Sequence, residues 1–536
     1  AACASCHVDA RIDRLAWDLG DPQGSIQSLG ANNLSAGIPI LAGGFQPFHP
    51  MKGPMTTQTL QDIIGKEPHH WRGDRAGLEA FAPAFIGLQG NDTSLTTVEM
   101  QQFEDFLATI TFPPNPFRNF DNTLPATVPL PGHYKTGRFG SAGMPMPNGN
   151  ALNGLALYRS PTRFLDGNAV SCVTCHTLPT GAGTDYRLNG FVYQPIAPGP
   201  KGERHLMLVS QDGSTNIAMK VPQFRNAYKK VGFTTQQAVS HYGFGYLHDG
   251  SVDSLERFIS EPVFVPANDQ EVADLVALSL ALSGSELPVG SVTNLREPPG
   301  PTSKDTPASV GTQLTLASGT LTPEQTSLLN SMLSLANASK VGLIAKGRYA
   351  GAPRGFMYAG GGLWQSDRAA QTLSTGALTG AAALGSEITV TVVPRSTQTR
   401  LGIDRDLNGC YDADEGVVCN IAPCAIDYNR DNFLNLDDVA DFITDFYANP
   451  AVPAGLQPSA PSYPDVIVGF DTPCPVADDA PPPYALDAYR ALGYRVGYSP
   501  DGTNSCPNFV GQPFPSLDNL SDYITAYYDL LGTPGC

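Results

Sequence analysis

No uninterrupted apolar run in the sequence approaches the about 18 to 20 residues that a helix needs to cross a bilayer, and the best stretches, such as residues 275–282, are short. Cations are also scarce, because 32 Lys and Arg stand against 50 Asp and Glu and give a formal net charge of −18. Phosphate binding is driven by clustered Lys and Arg, and the sequence contains no such cluster. We therefore expect neither a membrane span nor a nucleic-acid partner.

The ten cysteines fall into two groups, four of them in two C-x-x-C-H motifs and six at the far end of the chain. The chain opens Ala-Ala-Cys, which is typical of a mature chain after cleavage at small residues, so we expect a secreted protein, extracellular or periplasmic. An even, clustered set in an exported chain predicts three disulfides, whose pairing stays open. The six cysteines are Cys410, Cys419, Cys424, Cys474, Cys506 and Cys536.

The two motifs, Cys3-Ala-Ser-Cys6-His7 and Cys172-Val-Thr-Cys175-His176, match the attachment signature of c-type haem. Two thiols on one helical turn reach the two vinyl groups of a porphyrin, and the adjacent imidazole then faces the iron as proximal ligand. A redox dithiol and half of a zinc site are the alternatives, but both copies end in His and neither has a second C-x-x-C pair nearby. The sequence therefore predicts two covalently bound haem c groups, with His7 and His176 on the irons.

The motifs belong to an internal repeat. Lys52-Gly-Pro54 lies 45 residues after His7, and Lys220-Val-Pro222 lies 44 residues after His176. A Met precedes each Lys, so Met51 and Met219 are predicted either as sixth haem ligands or as ordinary packing residues. The rival ligands are Met55, His49, His69 and His70 in the first copy and Met207, His205, His241 and His248 in the second.

Each copy is predicted to end in an amphipathic helix. Thr96-x-x-Glu99 and Asn268-x-x-Glu271 are capping-box patterns that open these helices. Apolar residues follow each pattern at helical spacing and are predicted to pack in a core rather than against a cofactor.

About residues 1 to 290 resemble the bacterial di-haem cytochrome c peroxidase and MauG-like superfamily. The resemblance rests on the duplicated haem motifs, the Lys-x-Pro segments, Trp71 within His-Trp-Arg-Gly-Asp and His248 within Tyr-Leu-His-Asp-Gly-Ser. The resemblance implies a peroxide-reactive haem, an electron-transfer haem and a Trp relay between them, which Trp71 matches. The chain departs from the family in lacking a distal His soon after the first motif and a catalytic Glu, since Glu99 sits at a capping position.

Two hypotheses from different classes follow. The first is electron transfer by two six-coordinate haems between extracellular or periplasmic partners, with a redox protein or neighbouring copies of the chain, up to a filament, as partner. The second is a di-haem peroxidase or related oxidase that reduces hydrogen peroxide at an open iron. The departures from the family favour the first hypothesis.

A calcium-loop pattern follows the repeat. Hard oxygen ligands at its first, third, fifth, ninth and twelfth positions, with a Gly at the sixth, suit Ca²⁺. The predicted ligands are Asp404, Asp406, Asn408, Asp412 and Glu415.

A second loop resembles the first repeat of a dockerin. The resemblance implies docking onto a cohesin-like partner, although a calcium- and disulfide-locked cap is an equal alternative, since small cores need such staples. A second, degenerate copy of this repeat has only Asp501, Asn504 and Asp518 as obvious oxygen ligands, so whether it forms a third calcium site stays open. The ligands predicted in the second loop are Asp427, Asn429, Asp431, Asn435 and Asp438.

The predicted architecture is multidomain, because 536 residues are too many for one core. We expect two tandem all-α cytochrome c-like domains, then a small β-rich module and an EF-hand or dockerin-like α tail. The predicted boundaries are haem domain 1 at 1–112, a Pro- and Gly-rich connector at 113–150, haem domain 2 at 151–290, the β-rich module with its calcium loop at 306–416, and the disulfide-bonded tail at 420–536.

Overall fold

The computed structural model describes residues 3–20, 23–26, 53–198, 208–210, 218–230, 245–284, 286–415, 496–498 and 507–509. Contacts divide the chain into two compact units, Ala1–Thr312 and Gln313–Cys536, which are described separately. The predicted domain boundaries are finer than this division and stay predictions.

The described part of unit 1 is poor in regular structure. Its α-helices are α1 (Cys3–Cys6), α2 (Ala82–Gly87), α3 (Thr97–Ala108), α4 (Ala151–Tyr158), α5 (Cys172–Cys175), α6 (Leu255–Ile259) and α7 (Asp269–Ala281). Short 3-10 turns lie at Val8–Ala10, Leu78–Phe81 and Ala227–Lys229. Its strands are β1 (Ala16–Trp17), β2 (Met55–Thr56), β3 (Tyr186–Asn189), β4 (Val192–Pro195), β5 (Leu208–Ser210) and β6 (Ala218–Lys220), which pair as three antiparallel two-stranded sheets.

The two predicted amphipathic helices are confirmed as α3 and α7. Thr96 and Glu99 bond reciprocally in a capping box, and the Asn268 side chain accepts from the Glu271 backbone N–H. Met100 and Leu107 of α3 are buried in a small core, and α7 carries a larger one. The apolar stripes are therefore core positions, as predicted.

Helices α4 and α7 form the centre of the larger core and approach unusually closely. A Cβ atom added at Gly154 of α4 would lie 2.1 Å from the backbone oxygen of Asp274 on α7. The missing side chain therefore lets the two backbones touch, and Leu278 and Ala277 of α7 pack beside the contact.

Unit 2 is built on a six-stranded antiparallel sheet with the strand order β11-β10-β9-β8-β12-β7. The strands are β7 (Gln313–Leu316), β8 (Gly342–Tyr349), β9 (Ala352–Gly360), β10 (Leu363–Ser366), β11 (Thr372–Ser374) and β12 (Ile388–Val393). The helices are α8 (Pro323–Asn337), α9 (Thr375–Gly380) and α10 (Gln398–Gly402). Buried Leu343, Phe356 and Val390 come from the central strands, so the sheet has its own core.

The prediction of two all-α haem domains is wrong. Only about 26% of the structure is helical, and the described part of unit 1 contains three two-stranded sheets and long irregular segments. The physical reason lies in the composition, since 55 Gly and 47 Pro disfavour helix and favour turns. The all-α expectation came from the resemblance to a helical family, whereas hydrophobic periodicity supported only the helices that end each copy.

The tail is not purely helical either. Two short strands, β13 (Val496–Tyr498) and β14 (Pro507–Phe509), pair in antiparallel fashion. The predicted dockerin-like ligands, Asp427, Asn429, Asp431, Asn435 and Asp438, lie outside the described residues, as do Asp501, Asn504 and Asp518. Cys410 is disulfide-bonded, while the other five tail cysteines lie outside the described residues and their pairing stays a prediction.

Among the described residues no helix combines the length and the apolar character needed to cross a bilayer. The prediction that the chain lacks a membrane span is consistent with this finding.

Candidate haem-binding sites and calcium loop

The second C-x-x-C-H motif places two thiols on one helical turn. Helix α5 begins at Cys172 and ends at Cys175, and both thiols are free and partly accessible. Desolvation raises the pKa of each thiol to about 12. Reactive dithiols have a lowered thiol pKa, so this pair does not have the electrostatics of a redox dithiol.

The His176 ring is held in one orientation by two carbonyl groups. Nδ1 lies 2.8 Å from the Gly181 oxygen and 3.0 Å from the Pro222 oxygen, and a carbonyl can only accept, so Nδ1 carries the proton. Burial lowers the pKa of His176, which keeps the imidazole neutral. Phe224 stacks on the ring at 4.2 Å between centroids. Nε2 is thereby left with its lone pair, as in a proximal metal ligand whose other nitrogen donates to the backbone.

The first motif has a looser version of the same arrangement. Helix α1 begins at Cys3 and ends at Cys6, and the His7 Nδ1 atom is buried without a hydrogen bond of normal geometry. Burial lowers the pKa of His7, while the backbone of Arg11 and of Gln58 acts in the opposite direction. The two motifs therefore fit the same group, a porphyrin held by two thioethers and one imidazole. Among the described side chains no three His, Cys, Asp or Glu form a closed metal site, so neither motif has the ligand set of a zinc site.

Equivalent hydrogen bonds show how the two copies correspond. The Leu60 N–H donates to the Ala10 oxygen in the first copy, as the Phe224 N–H donates to the Thr180 oxygen in the second. Gln58 and Pro222, two residues earlier in each copy, then face their respective His rings.

In this register the strand pair β1–β2 is equivalent to the strand pair β5–β6, and Met55, rather than Met51, is equivalent to Met219. Met219 is buried on β6 and Met55 is half-buried on β2. Their role as sixth ligands stays a prediction. Candidates outside the described residues are Met51, His49, His205, Met207 and His241.

Trp71 and His248 occupy equivalent positions in the two copies and lie where the copies contact each other. We call this contact the seam, and it also includes Thr56 and Lys220. Each lies in a tight loop closed by a backbone bridge, His69 with Arg75 and Tyr246 with Val252. Their ring centroids are 6.5 Å apart.

The backbone bonds across this seam are reciprocal. The Thr56 N–H donates to the His248 oxygen and the Lys220 N–H donates to the Trp71 oxygen, both at 2.7 Å. Such an exchange is what a two-fold arrangement of duplicated domains produces.

A second reciprocal pair of interactions, one ion pair and one amide hydrogen bond, joins the two copies. Arg225 donates to Asp62, and the Asn226 amide donates to the Gln61 oxygen at 3.0 Å. Gln61 and Asp62 correspond to Arg225 and Asn226 in the register above. Asp62 also accepts from the Lys66 ammonium at 3.0 Å, so one buried carboxylate serves two buried cations.

Trp71 is hydrogen-bonded within the seam, whereas the predicted alternative haem ligands His69 and His70 have different surroundings. The buried Trp71 indole donates to the Thr56 oxygen at 2.7 Å. His70 instead pairs with Asp74 at 3.1 Å and packs edge-on against Phe81. His69 is fully buried, and its pKa is lowered well below the usual value by that burial.

The sequence did not predict an ion pair between half-buried His133 and buried Glu256. Glu256 accepts from the His133 ring at 2.7 Å and from the Tyr134 N–H at 3.2 Å, and its pKa is lowered even though burial alone would raise it. The sequence repeats a Leu-Glu-x-Phe pattern at residues 78–81 and 255–258, which singles out Glu256 but not a partner 123 residues away.

The predicted calcium loop of unit 2 has the expected backbone. Gly409 adopts a left-handed conformation (φ 85°) and its N–H donates to Asp404 Oδ2 at 3.1 Å. The Asn408 N–H donates to Asp406, and the Arg405 N–H donates to Asp412. Asp404 Oδ1 is buried without a hydrogen-bond partner, and the pKa of Asp404 is raised by burial and, less, by Asp406. This unsatisfied oxygen fits a hard cation, although Asp404, Asp406, Asp412 and Glu415 do not converge on one point.

Comparisons with known proteins add little to this geometry. No protein-family model matches the chain, and no curated protein matches it. A hydrazine synthase from Kuenenia stuttgartiensis, solved under xenon pressure, is similar in structure with a TM-score of 0.27 and 16% sequence identity. The match covers 52% of this chain and 81% of that one, and a TM-score of this size carries no argument about fold or function.

Proposed function

We propose that unit 1 is a secreted di-haem c-type cytochrome that transfers electrons between extracellular or periplasmic partners. The observation that carries the proposal is the His176 ring, which donates from Nδ1 to the carbonyls of Gly181 and Pro222 beside two free thiols one turn apart. A haem iron held there would accept and release one electron at a time.

The chain's own residues have three tasks in this function. Cys172 and Cys175 tether the group, and the carbonyls of Gly181 and Pro222 fix the plane of the ligand imidazole. Phe224 covers the imidazole against water. A rigid, dry proximal side keeps the reorganisation on electron transfer small.

The seam between the copies supplies the contact through which an electron would pass. Trp71 and His248 touch across it, and both lie on loops bonded to the opposite copy. The proposed resemblance to the di-haem peroxidase and MauG-like superfamily rests on the same Trp71. Peroxide reduction is the competing outcome, and it requires a high-spin iron with an open sixth position.

Expression with the c-type maturation apparatus should give a chain with two covalent haems, counted by the pyridine haemochrome assay and by mass. Replacing Cys172 and Cys175 with Ala should leave one haem, because each motif tethers its own. The matched variant, Cys3→Ala with Cys6→Ala, should also leave one. A wild-type chain without covalent haem contradicts the proposal. A high-spin electron paramagnetic resonance signal with hydrogen peroxide turnover would replace electron transfer by the peroxidase function.

We also propose that the loop from Asp404 to Glu415 binds Ca²⁺. The supporting observation is Asp404 Oδ1, which is buried without a hydrogen-bond partner among the described residues. A ligand that binds only the folded state at one hundred times its Kd stabilises that state by about 2.7 kcal/mol, so we expect calcium to stabilise unit 2 by this amount. Thermal unfolding with calcium or chelator measures this effect. Asp404→Asn should abolish the calcium dependence and the exposed Asp105→Asn should keep it. An unchanged melting temperature of the wild type in calcium and in chelator refutes the site.

The tail carries the remaining proposals of partners. A cohesin-like docking partner rests on the dockerin-like sequence pattern, whereas a redox protein or neighbouring copies of the chain are the partners proposed for electron transfer. Removal of residues 420–536 should leave the haem count unchanged and remove docking, as measured by size-exclusion chromatography with light scattering.

A further inference from the structure

A short segment of the second copy carries two lysines to the first copy. The 3-10 turn Ala227–Lys229 follows Asn226, whose amide is bonded to Gln61 of the first copy at 3.0 Å. The Lys230 ammonium lies 4.6 Å from the centre of the Trp71 ring, also in the first copy. The seam therefore fixes where Lys229 and Lys230 lie.

Lys229 is buried at its charged end, and the described residues form no ion pair or hydrogen bond with its ammonium group. Its Nζ atom has no hydrogen-bond partner among the described residues and lies 5.7 Å from the centre of the neighbouring Tyr228 ring. The pKa of Lys229 is lowered to about 8, mainly by burial and also by Arg11 and Arg14, while Asp9 acts in the opposite direction. An ammonium group in this setting is costly unless an anion pairs with it.

Arg11 belongs to the same cluster and links it to the first haem motif. It lies four residues after His7, and its backbone acts on the His7 ring. The Arg11 Nε atom is buried, and no described group accepts a hydrogen bond from it. Arg11 and Arg14 thus act on Lys229 as like charges, and among the described residues Asp9 is the carboxylate that acts on it in the opposite direction.

The cluster stands out in a chain with a formal net charge of −18. Like charges that face one another repel, and Arg11 and Lys229 each keep a buried N–H group for which the described residues offer no acceptor, which adds the cost of desolvation. The arrangement is explained if a ligand with carboxylate groups completes it. A c-type haem carries two propionates, and the cluster lies next to the imidazole that would hold the first haem.

We propose that Arg11, Arg14 and Lys229 bind the propionate carboxylates of the haem attached to Cys3 and Cys6, so that the second copy supplies a cation to the haem of the first. This inference rests on the proposed function, because it requires a haem at the first motif. It adds a residue from outside that motif and assigns it a measurable electrostatic effect.

The test is an optical redox titration of the full-length holoprotein and its Lys229→Met variant. Removing a positive charge beside the propionates favours the ferric state of one haem. We expect the reduction equilibrium constant of that haem to fall about tenfold, which is 59 mV for a one-electron couple, while the other haem keeps its potential. The propionate bending band in the resonance Raman spectrum should shift in the variant, and Lys229→Arg should restore both readouts.

Three further measurements make the result decisive. Lys340→Met removes an exposed cation from unit 2 and should leave both potentials unchanged. Arg11→Gln removes a cation of the same cluster from the first copy, and we expect it to lower the same potential. It replaces Lys229→Met in the test if that variant does not accumulate as folded protein. Inorganic phosphate should not move the wild-type potentials beyond the effect of sodium chloride at equal ionic strength.

The outcomes separate this inference from the proposed function. Two covalent haems with unchanged potentials in Lys229→Met and Arg11→Gln overturn the propionate site and leave the di-haem proposal standing. A phosphate-dependent shift in the wild type that is absent from Lys229→Met assigns the cluster to a free anion and also overturns the propionate site. A wild-type chain without haem overturns both proposals.

Discussion

The Asp62→Asn variant is expected to lose about 3 to 5 kcal/mol of the free energy of unfolding of unit 1. The Asp62 carboxylate is buried between Arg225 of the second copy and Lys66 of the first, and it also accepts the Lys304 N–H at 2.9 Å. Asparagine keeps the shape but removes the charge, so two buried cations lose their counter-ion. The loss should appear as a lower denaturant midpoint.

The substitution isolates the charge because the backbone already suits asparagine. Asp62 has a φ of 49°, in the left-handed region that Asn tolerates well, and the equivalent residue of the second copy is Asn226, with a φ of 60°. The control is Asp105→Asn at an exposed position of α3, where Asp105 accepts from Gln101 at 3.0 Å, and it should change stability by less than about 0.5 kcal/mol. Equal effects of the two substitutions would show that the seam does not depend on this carboxylate.

The Gly154→Ala variant is expected to destabilise unit 1 by about 3 kcal/mol, at the upper end of the usual cost of overpacking. The added methyl group would lie 2.1 Å from the Asp274 oxygen and 2.9 Å from Leu278 Cβ. Because the nearest atom belongs to the backbone of α7, a side-chain rotation cannot relieve the clash. Ala is the better helix former by up to about 1 kcal/mol, which only partly offsets this cost.

Gly376→Ala in helix α9 is the matched control, because no atom lies within 4 Å of the added methyl group there. Differential scanning calorimetry should show a lower melting temperature for unit 1 in Gly154→Ala, and an unchanged or slightly raised one for unit 2 in Gly376→Ala. If Gly154→Ala melts like the wild type, α4 and α7 are not in backbone contact.

Local patterns in the sequence predicted local structure well. The capping-box patterns at Thr96 and Asn268 predicted the starts of α3 and α7. Each depends on residues a few positions apart, which the sequence displays directly. The two-residue strands β1 and β2 have no periodicity of their own, and their pairing depends on residues about 40 positions apart, so they were not predicted.

The candidate haem sites divide in the same way. The attachment cysteines and their histidines are adjacent in sequence, so one motif identifies them all. The carbonyl partner of His176 at Pro222 lies 46 residues away, and a backbone oxygen leaves no mark on residue type. The equivalence between the two copies was also mispredicted for this reason. Counting residues from His7 made Met51 equivalent to Met219, whereas the backbone hydrogen bonds of Leu60 and Phe224 make Met55 equivalent to Met219.

The reciprocal bonds of Thr56 with His248 and of Lys220 with Trp71 have an evolutionary consequence. In a dimer of identical subunits every substitution at the contact appears twice, so both sides must change together. Fusing the two copies into one chain removes that constraint, and each side of the contact can mutate alone. At these two equivalent positions an indole on one side faces an imidazole on the other, which is a combination that no pair of identical subunits could encode.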